Sequence, residues 1–285
     1  MGSWLTLPND ELARFQGSRC YQLIVEKYLA AIGNKDWQQQ VQELLSMGSP
    51  LSSYQYPALS NWEFQVSPGS GAHHTHFGGL ALHTLQNLEY AESWATVYQS
   101  RSIPVSRDLL FAMIILHDCM KRFIYQFDDQ FNLVKAEDPF IAKSEDHHSW
   151  VIREMAARGF DVELIKGVAA MHGIDDVSLD SGVTGTAVVS HYLHIGDSHL
   201  NYTEDDIRPE HVIGFLADSD WHWSGQAQRK SHFLAKIMAK KLQADPKYLA
   251  LYLGSRFTFE KIGSIIEADG YEQAAGKVEA MISLK

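Results

Sequence analysis

Apolar residues recur at helical spacing through most of the chain. Leu12, Phe15, Tyr21, Leu23, Ile24 and Tyr28 predict an amphipathic helix over 9–31, closed by Gly33-Asn34. A second helix over 37–47 ends at Gly48-Ser49-Pro50. Pro50, Pro57 and Pro68, set among Ser and Gly, make 50–78 an irregular connector. Leu85, Leu88, Ala91 and Ala95 share one face of a helix over 79–98. The next helix, 107–118, has Ser106 as its N-cap, and its run from Leu109 to Leu116 is apolar all round. Such a helix is buried on every side.

The period then changes. Tyr125 and Phe127 alternate with polar residues, Asp128-Asp129-Gln130 make a turn, and Phe131 and Leu133 alternate again, which predicts a small β-hairpin. Helical pattern resumes over 147–158, 161–172, 184–200, 209–218, 226–243, 246–253, 257–267 and 270–283. The fold class expected is all-α, a multi-helix bundle with one hairpin. No repeat or shift in composition divides it. The chain reads as one domain over 1–285, with N-terminal helices and a connector (1–70), a core (71–205) and C-terminal helices (206–285).

Composition narrows the function classes. The 285 residues are 45% apolar and 21% charged, as in a soluble globular protein. No apolar run is long enough to span a bilayer, so no membrane partner is expected. The net charge of −11 comes without a basic stripe, which argues against duplex nucleic acid. The one basic cluster, Lys236, Lys240 and Lys241, reads as a solvated helix face. A small phosphorylated substrate is still compatible with an acidic chain, because a metal ion supplies local positive charge. Two distant cysteines, Cys20 and Cys119, form neither a disulfide framework nor a zinc ribbon, and fit a reducing, cytoplasmic setting.

Candidate chemistry lies in the grouping of the fourteen histidines. His117 and Asp118 are adjacent, at the end of the all-apolar helix. Imidazole and carboxylate both bind divalent first-row metals. Neighbours on a helix point about 100° apart, so a helix end is where one ion could reach both. His83 lies near the start of its helix, in Gly79-Leu80-Ala81-Leu82-His83-Thr84. Asp197 comes late in a long apolar helix, where a carboxylate needs a partner.

The order His…His-Asp…Asp on successive helices resembles the HD superfamily of metal-dependent phosphohydrolases. Leu116-His117-Asp118-Cys119-Met120-Lys121 is similar to that family's HDxxK variant, and the likeness covers roughly 71–205. The resemblance implies an HD-domain bundle in which His83, His117, Asp118 and Asp197 ligate one divalent metal. Members with two metals add a His at the start of one helix and another at the end of the next. Here those are His148, in preference to its neighbour His147, and His172. The metal would be one or two ions of Mn, Fe, Mg, Zn or Ni. Lys121 would project from the face of the dyad and, with Asp118, serve catalysis.

Gly71-Ala72-His73-His74-Thr75-His76-Phe77-Gly78-Gly79 is similar to the segment before the first ligand in HD domains of bacterial 3′–5′ exoribonucleases and conjugation relaxase-type proteins. It marks His73, His74, His76 and Gly79 as candidate substrate contacts, with Lys121. Those exoribonucleases carry an N-terminal OB-fold, whereas residues 1–70 here read as helical.

The function expected is hydrolysis of a phosphoester by metal-activated water. The substrate would be a nucleotide, a nucleotide-derived compound or a short oligonucleotide. The same six ligands also serve HD-type di-iron oxygenases that cleave C–C or C–P bonds, and a non-catalytic nucleotide-sensing module is a third reading.

Overall fold

The computed structural model describes residues 16–46, 63–135, 147–172 and 185–283. The start of the first predicted helix and the first part of the connector, 50–62, lie outside the described residues. Helix α1 (Gln16–Leu23) runs into a π-helical turn (Ile24–Leu29), and α2 is Lys35–Ser46. Then come α3 (Gly79–Ser100), α4 (Arg107–Leu116) and the short α5 (Lys121–Ile124). Strands β1 (Tyr125–Phe127) and β2 (Leu133–Lys135) pair antiparallel, with Gln126 opposite Val134. Helices α6 (His147–Ala157), α7 (Val162–Ala170), α8 (Gly185–Gly196), α9 (Pro209–Asp218), α10 (Trp221–Leu242), α11 (Pro246–Phe257) and α12 (Phe259–Ser283) follow. Among the described residues the fold is all-α with one hairpin, which follows the His-Asp pair after α5, as the periodicity predicts.

Helix α4 is the axle of the larger core. Ser106 caps it by accepting from the Leu109 N–H, and every side chain from Leu109 to Leu116 is at most 3% exposed. Helices α2, α3, α7 and α9 pack around it. The close approach of α9 depends on Gly214, where a Cβ would meet Met171 Sδ at 2.4 Å. A second apolar core joins α10, α11 and α12 through Leu234, Leu249, Leu253, Ile262, Ala274 and Val278, and draws in Phe77 from the segment before α3. No described helix is long and apolar enough to cross a membrane.

The segment 69–79 enters α3 through a tight turn. Gly78, at φ 77°, is in the left-handed region that only glycine adopts freely. Gly79 is closer still, since a Cβ there would lie 1.9 Å from the His74 carbonyl oxygen.

Candidate metal centre

Five helix termini converge on one buried point. His83 comes from the second turn of α3, and His117-Asp118 from the turn that ends α4. His147 and His148 open α6, His172 follows the end of α7, and Asp218 is the last residue of α9. Termini suit this work because a side chain there can turn off its helix surface and share a point with other chains.

Two groups of possible ligands meet at Asp118. His83, His117, Asp118 and Asp218 each offer an atom within 4.8 Å of the others, and so do Asp118, His147, His148 and His172. Asp118 Oδ2 lies 3.2 Å from His83 Nε2 and 3.4 Å from His117 Nε2. Its other oxygen, Oδ1, lies 3.0 Å from His147 Nε2 and 3.7 Å from His172 Nε2. Asp218 closes the ring, with Oδ1 2.9 Å from His83 Nε2 and Oδ2 3.4 Å from His172 Nε2.

The surroundings orient these groups. His117 Nδ1–H donates to the Ile114 carbonyl at 2.6 Å, which leaves its Nε2 bare and aimed at the carboxylates. Asn87 donates to Asp218 Oδ1 at 2.9 Å. Lys121 Nζ contacts Asp118 Oδ2 at 2.5 Å, from a buried position. The lysine therefore shares the dyad's face, as its spacing implies.

Charge is balanced locally. Burial works to raise the pKa of Asp118, but Lys121 and the His117 ring hold it well below the ordinary carboxylate value. Asp218 is likewise held low against burial by His117 and His83. Burial would lower His83, yet its hydrogen bonds to the two carboxylates raise it to about 9. His172 is pushed down to about 3, chiefly by burial, and stays neutral.

A divalent cation fits this donor set. His117 Nε2 and Asp118 Oδ1 are buried and have no hydrogen-bond partner. Orphaned atoms of this kind are costly unless something binds them. Two buried carboxylates ringed by imidazole nitrogens make a hard-to-borderline site of the kind that first-row divalent ions occupy.

Over 160 residues the chain is 31% identical to a dihydroneopterin 2',3'-cyclic phosphate phosphodiesterase of Methanocaldococcus jannaschii. That likeness, with the buried His/Asp cluster, is what an HD-type phosphohydrolase would show. The match covers 53% of this chain and 55% of the relative, so the chain spans about half the length of the curated relative it matches. No family model matches the chain, and no solved structure does.

Most of the residues that the HD-type reading named from sequence lie in this cluster, and one lies apart from it. His83, His117, Asp118, Lys121 and His172 lie together. Asp197 does not join them: it sits just past the end of α8, where its Oδ1 accepts from the His199 N–H at 2.9 Å. Asp218 occupies the place that the family order assigned to Asp197. Both end an apolar helix, so the pattern alone ranked neither above the other. A usable signal was Gly214 and Ala217, small residues that bring α9 into close contact with the core.

At the start of α6, both histidines of the pair join the cluster. His147 makes the direct approach to Asp118, while the His148 ring stacks on His172 at 3.4 Å between centroids. His73 and His74 lie beside His83, with ring centroids 5.1 and 5.2 Å from it. His76 turns away into the second core, fully buried, with its ring edge-on to Phe259 at 5.0 Å. Gly79 is buried in the turn, where an added Cβ would lie 1.9 Å from the His74 carbonyl oxygen. His76 and Gly79 thus build the turn, and only His73 and His74 reach the candidate pocket. His191 and His194 are exposed on α8 and orient no ligand of the cluster.

Proposed function

We propose that this chain is a metal-dependent phosphodiesterase that opens the phosphate ester of a small nucleotide-derived compound. A 2',3'-cyclic phosphate is the first candidate, by its likeness to the methanogen enzyme that the relative's name describes. The observation that carries the reading is Asp118, whose two oxygens face two separate imidazole groups within one buried cluster.

In this reading His83, His117, Asp118 and Asp218 hold one ion. Asp118, His147 and His172 hold a second or, with one ion present, face the phosphate, and His148 supports them through its stack on His172. A divalent ion bound there would polarise a phosphoryl oxygen and make a coordinated water more acidic. Asp118 holds the attacking water in line and accepts its hydrogen bond. Lys121 balances the charge that gathers on the phosphoryl oxygens. His73, beside His83, contacts the ester, and His74 backs it. Water adds to phosphorus, the bond to one ring oxygen breaks, and that oxygen leaves as a hydroxyl after taking up a proton. A cytoplasmic protein working on a small diffusible ester, as a single unit over 1–285, completes the proposal.

Chelated protein reconstituted in turn with Mn²⁺, Fe²⁺, Mg²⁺, Ni²⁺ and Zn²⁺ is the material for the test. It would be offered nucleoside 2',3'-cyclic phosphates and dihydroneopterin 2',3'-cyclic phosphate. The expected product is a ring-opened monophosphate, formed only with metal. Oxygen uptake by a di-iron form, with no phosphate product from any reconstitution, would replace the hydrolase with an oxygenase.

A further inference from the structure

The C-terminal helices reach the histidines beside the candidate metal site through a carboxylate. Glu260, in the first turn of α12, lies 3.1 Å from His74 Nε2. Gln86 Oε1, from α3, lies 2.8 Å from the same nitrogen. A carboxylate oxygen and an amide oxygen both face this ring nitrogen, an environment that favours a hydrogen on it. The other nitrogen of that ring, Nδ1, meets His73 Nδ1 at 2.8 Å. Only one hydrogen fits between two ring nitrogens, so the state of the His74 ring dictates which nitrogen of His73 carries its hydrogen. His73 in turn sits beside His83, the metal-site histidine.

The backbone shows that this arrangement is built. His74 has φ 53°, in the left-handed region that a bulky side chain avoids. Its carbonyl accepts from the N–H groups of Gly69 at 3.0 Å and His76 at 2.9 Å, which holds that conformation. Next to it, Gln228 of α10 clamps Thr75 twice, accepting from its N–H at 2.8 Å and donating to its hydroxyl at 3.0 Å. Burial works to raise the pKa of Glu260, and the His74 ring holds it down at about 2, so the carboxylate is ionised.

We infer that Glu260 is a positioning residue of the metal pocket: through His74 it fixes the ring and the tautomer of His73, so that the C-terminal helices complete the site. The inference deepens the hydrolase reading, and its kinetic arm rests on that reading. It gives α10–α12 a role in the chemistry that no ligand position assigns them.

The test measures ring-nitrogen NMR of ¹⁵N-histidine-labelled full-length protein, together with phosphodiester turnover. In the wild type His73 should show a single tautomer. Glu260→Ala should give a mixture and lower kcat tenfold or more, with metal content unchanged. Glu260→Gln keeps an acceptor and should restore one tautomer and most of the rate. A double variant, Glu260→Ala with His73→Ala, should be no slower than His73→Ala alone. If Glu260→Ala does not fold, Glu260→Asp, which withdraws the carboxylate by one methylene, is read in the same way. Unchanged His73 nitrogens in the Glu260 variant, or losses that multiply in the double variant, would overturn the inference. Should the wild type turn over no phosphodiester, the hydrolase reading falls, while the nitrogen spectra still decide whether Glu260 governs His73.

Discussion

Nε2 of His83 lies 2.9 Å from Oδ1 of Asp218, across 135 positions of sequence and between the start of one helix and the end of another. The contact places Asp218 in the candidate metal centre. Asp218→Asn should lower divalent-metal affinity by more than the roughly 10–100-fold typical of an outer partner. Asp197→Asn should leave it within about twofold, because Asp197 only caps a turn. Titration of the chelated proteins with Mn²⁺ separates the two.

Asn87 is one step removed. It donates to Asp218 Oδ1 and stands 3.3 Å from His83 Nε2. Asn87→Ala should cost about 10–100-fold in metal affinity while leaving the fold intact. Calorimetric titration of the metal, with a circular dichroism spectrum as control, checks this. An unchanged affinity would show that Asp218 needs no orienting partner.

Most of the fold was legible in the sequence. The eight-residue apolar run of α4, the Ser106 cap and the switch of period at Tyr125 are local signals, and each appears where the pattern puts it. His83, His117, Asp118 and His172 came from the resemblance to the HD superfamily, since a helix ending in His-Asp is by itself a weak signal. Asp218 was not legible. Asp197 and Asp218 both end apolar helices, and choosing between them needs the three-dimensional path of α8 and α9. Glu260 was hidden for the same reason, because it reaches the site from a different core. Gly79 and His76 lie buried in the turn before α3, a placement the sequence could not give, because a glycine and a histidine near a site carry no sign of which way the backbone turns.

Gly79 gives a direct test of that turn. Gly79→Ala would drive a methyl group into the His74 carbonyl. The loss expected is about 2–4 kcal/mol, in the range of severe steric substitutions. Urea unfolding would report it as a lower midpoint. A midpoint like that of the wild type would mean that the segment 69–79 can shift at little cost.

His76 makes stability depend on pH. Burial lowers its pKa from 6.5 to about 4, so it is neutral when folded and charges on unfolding in mild acid. Between those values the unfolded chain binds more protons, so stability falls as pH falls from 6.5 to about 4. The full effect of this one group is roughly 3 kcal/mol at 1.36 kcal/mol per unit. His76→Phe keeps a ring against Phe259 and should flatten that part of the stability curve. Denaturant melts at pH 7, 5.5 and 4 on both proteins measure it, and parallel curves would rule out a buried neutral His76.

The most direct measurement is Mn²⁺-dependent hydrolysis of a generic phosphodiester, such as bis(p-nitrophenyl) phosphate, by chelated and reconstituted protein. Wild type, Asp218→Asn and Asp197→Asn would be compared side by side. If the buried cluster is the catalytic metal centre, chelation abolishes turnover and Mn²⁺ restores it in the wild type and in Asp197→Asn, but not in Asp218→Asn. Turnover that survives chelation, or that Asp218→Asn retains while Asp197→Asn loses it, would contradict that assignment.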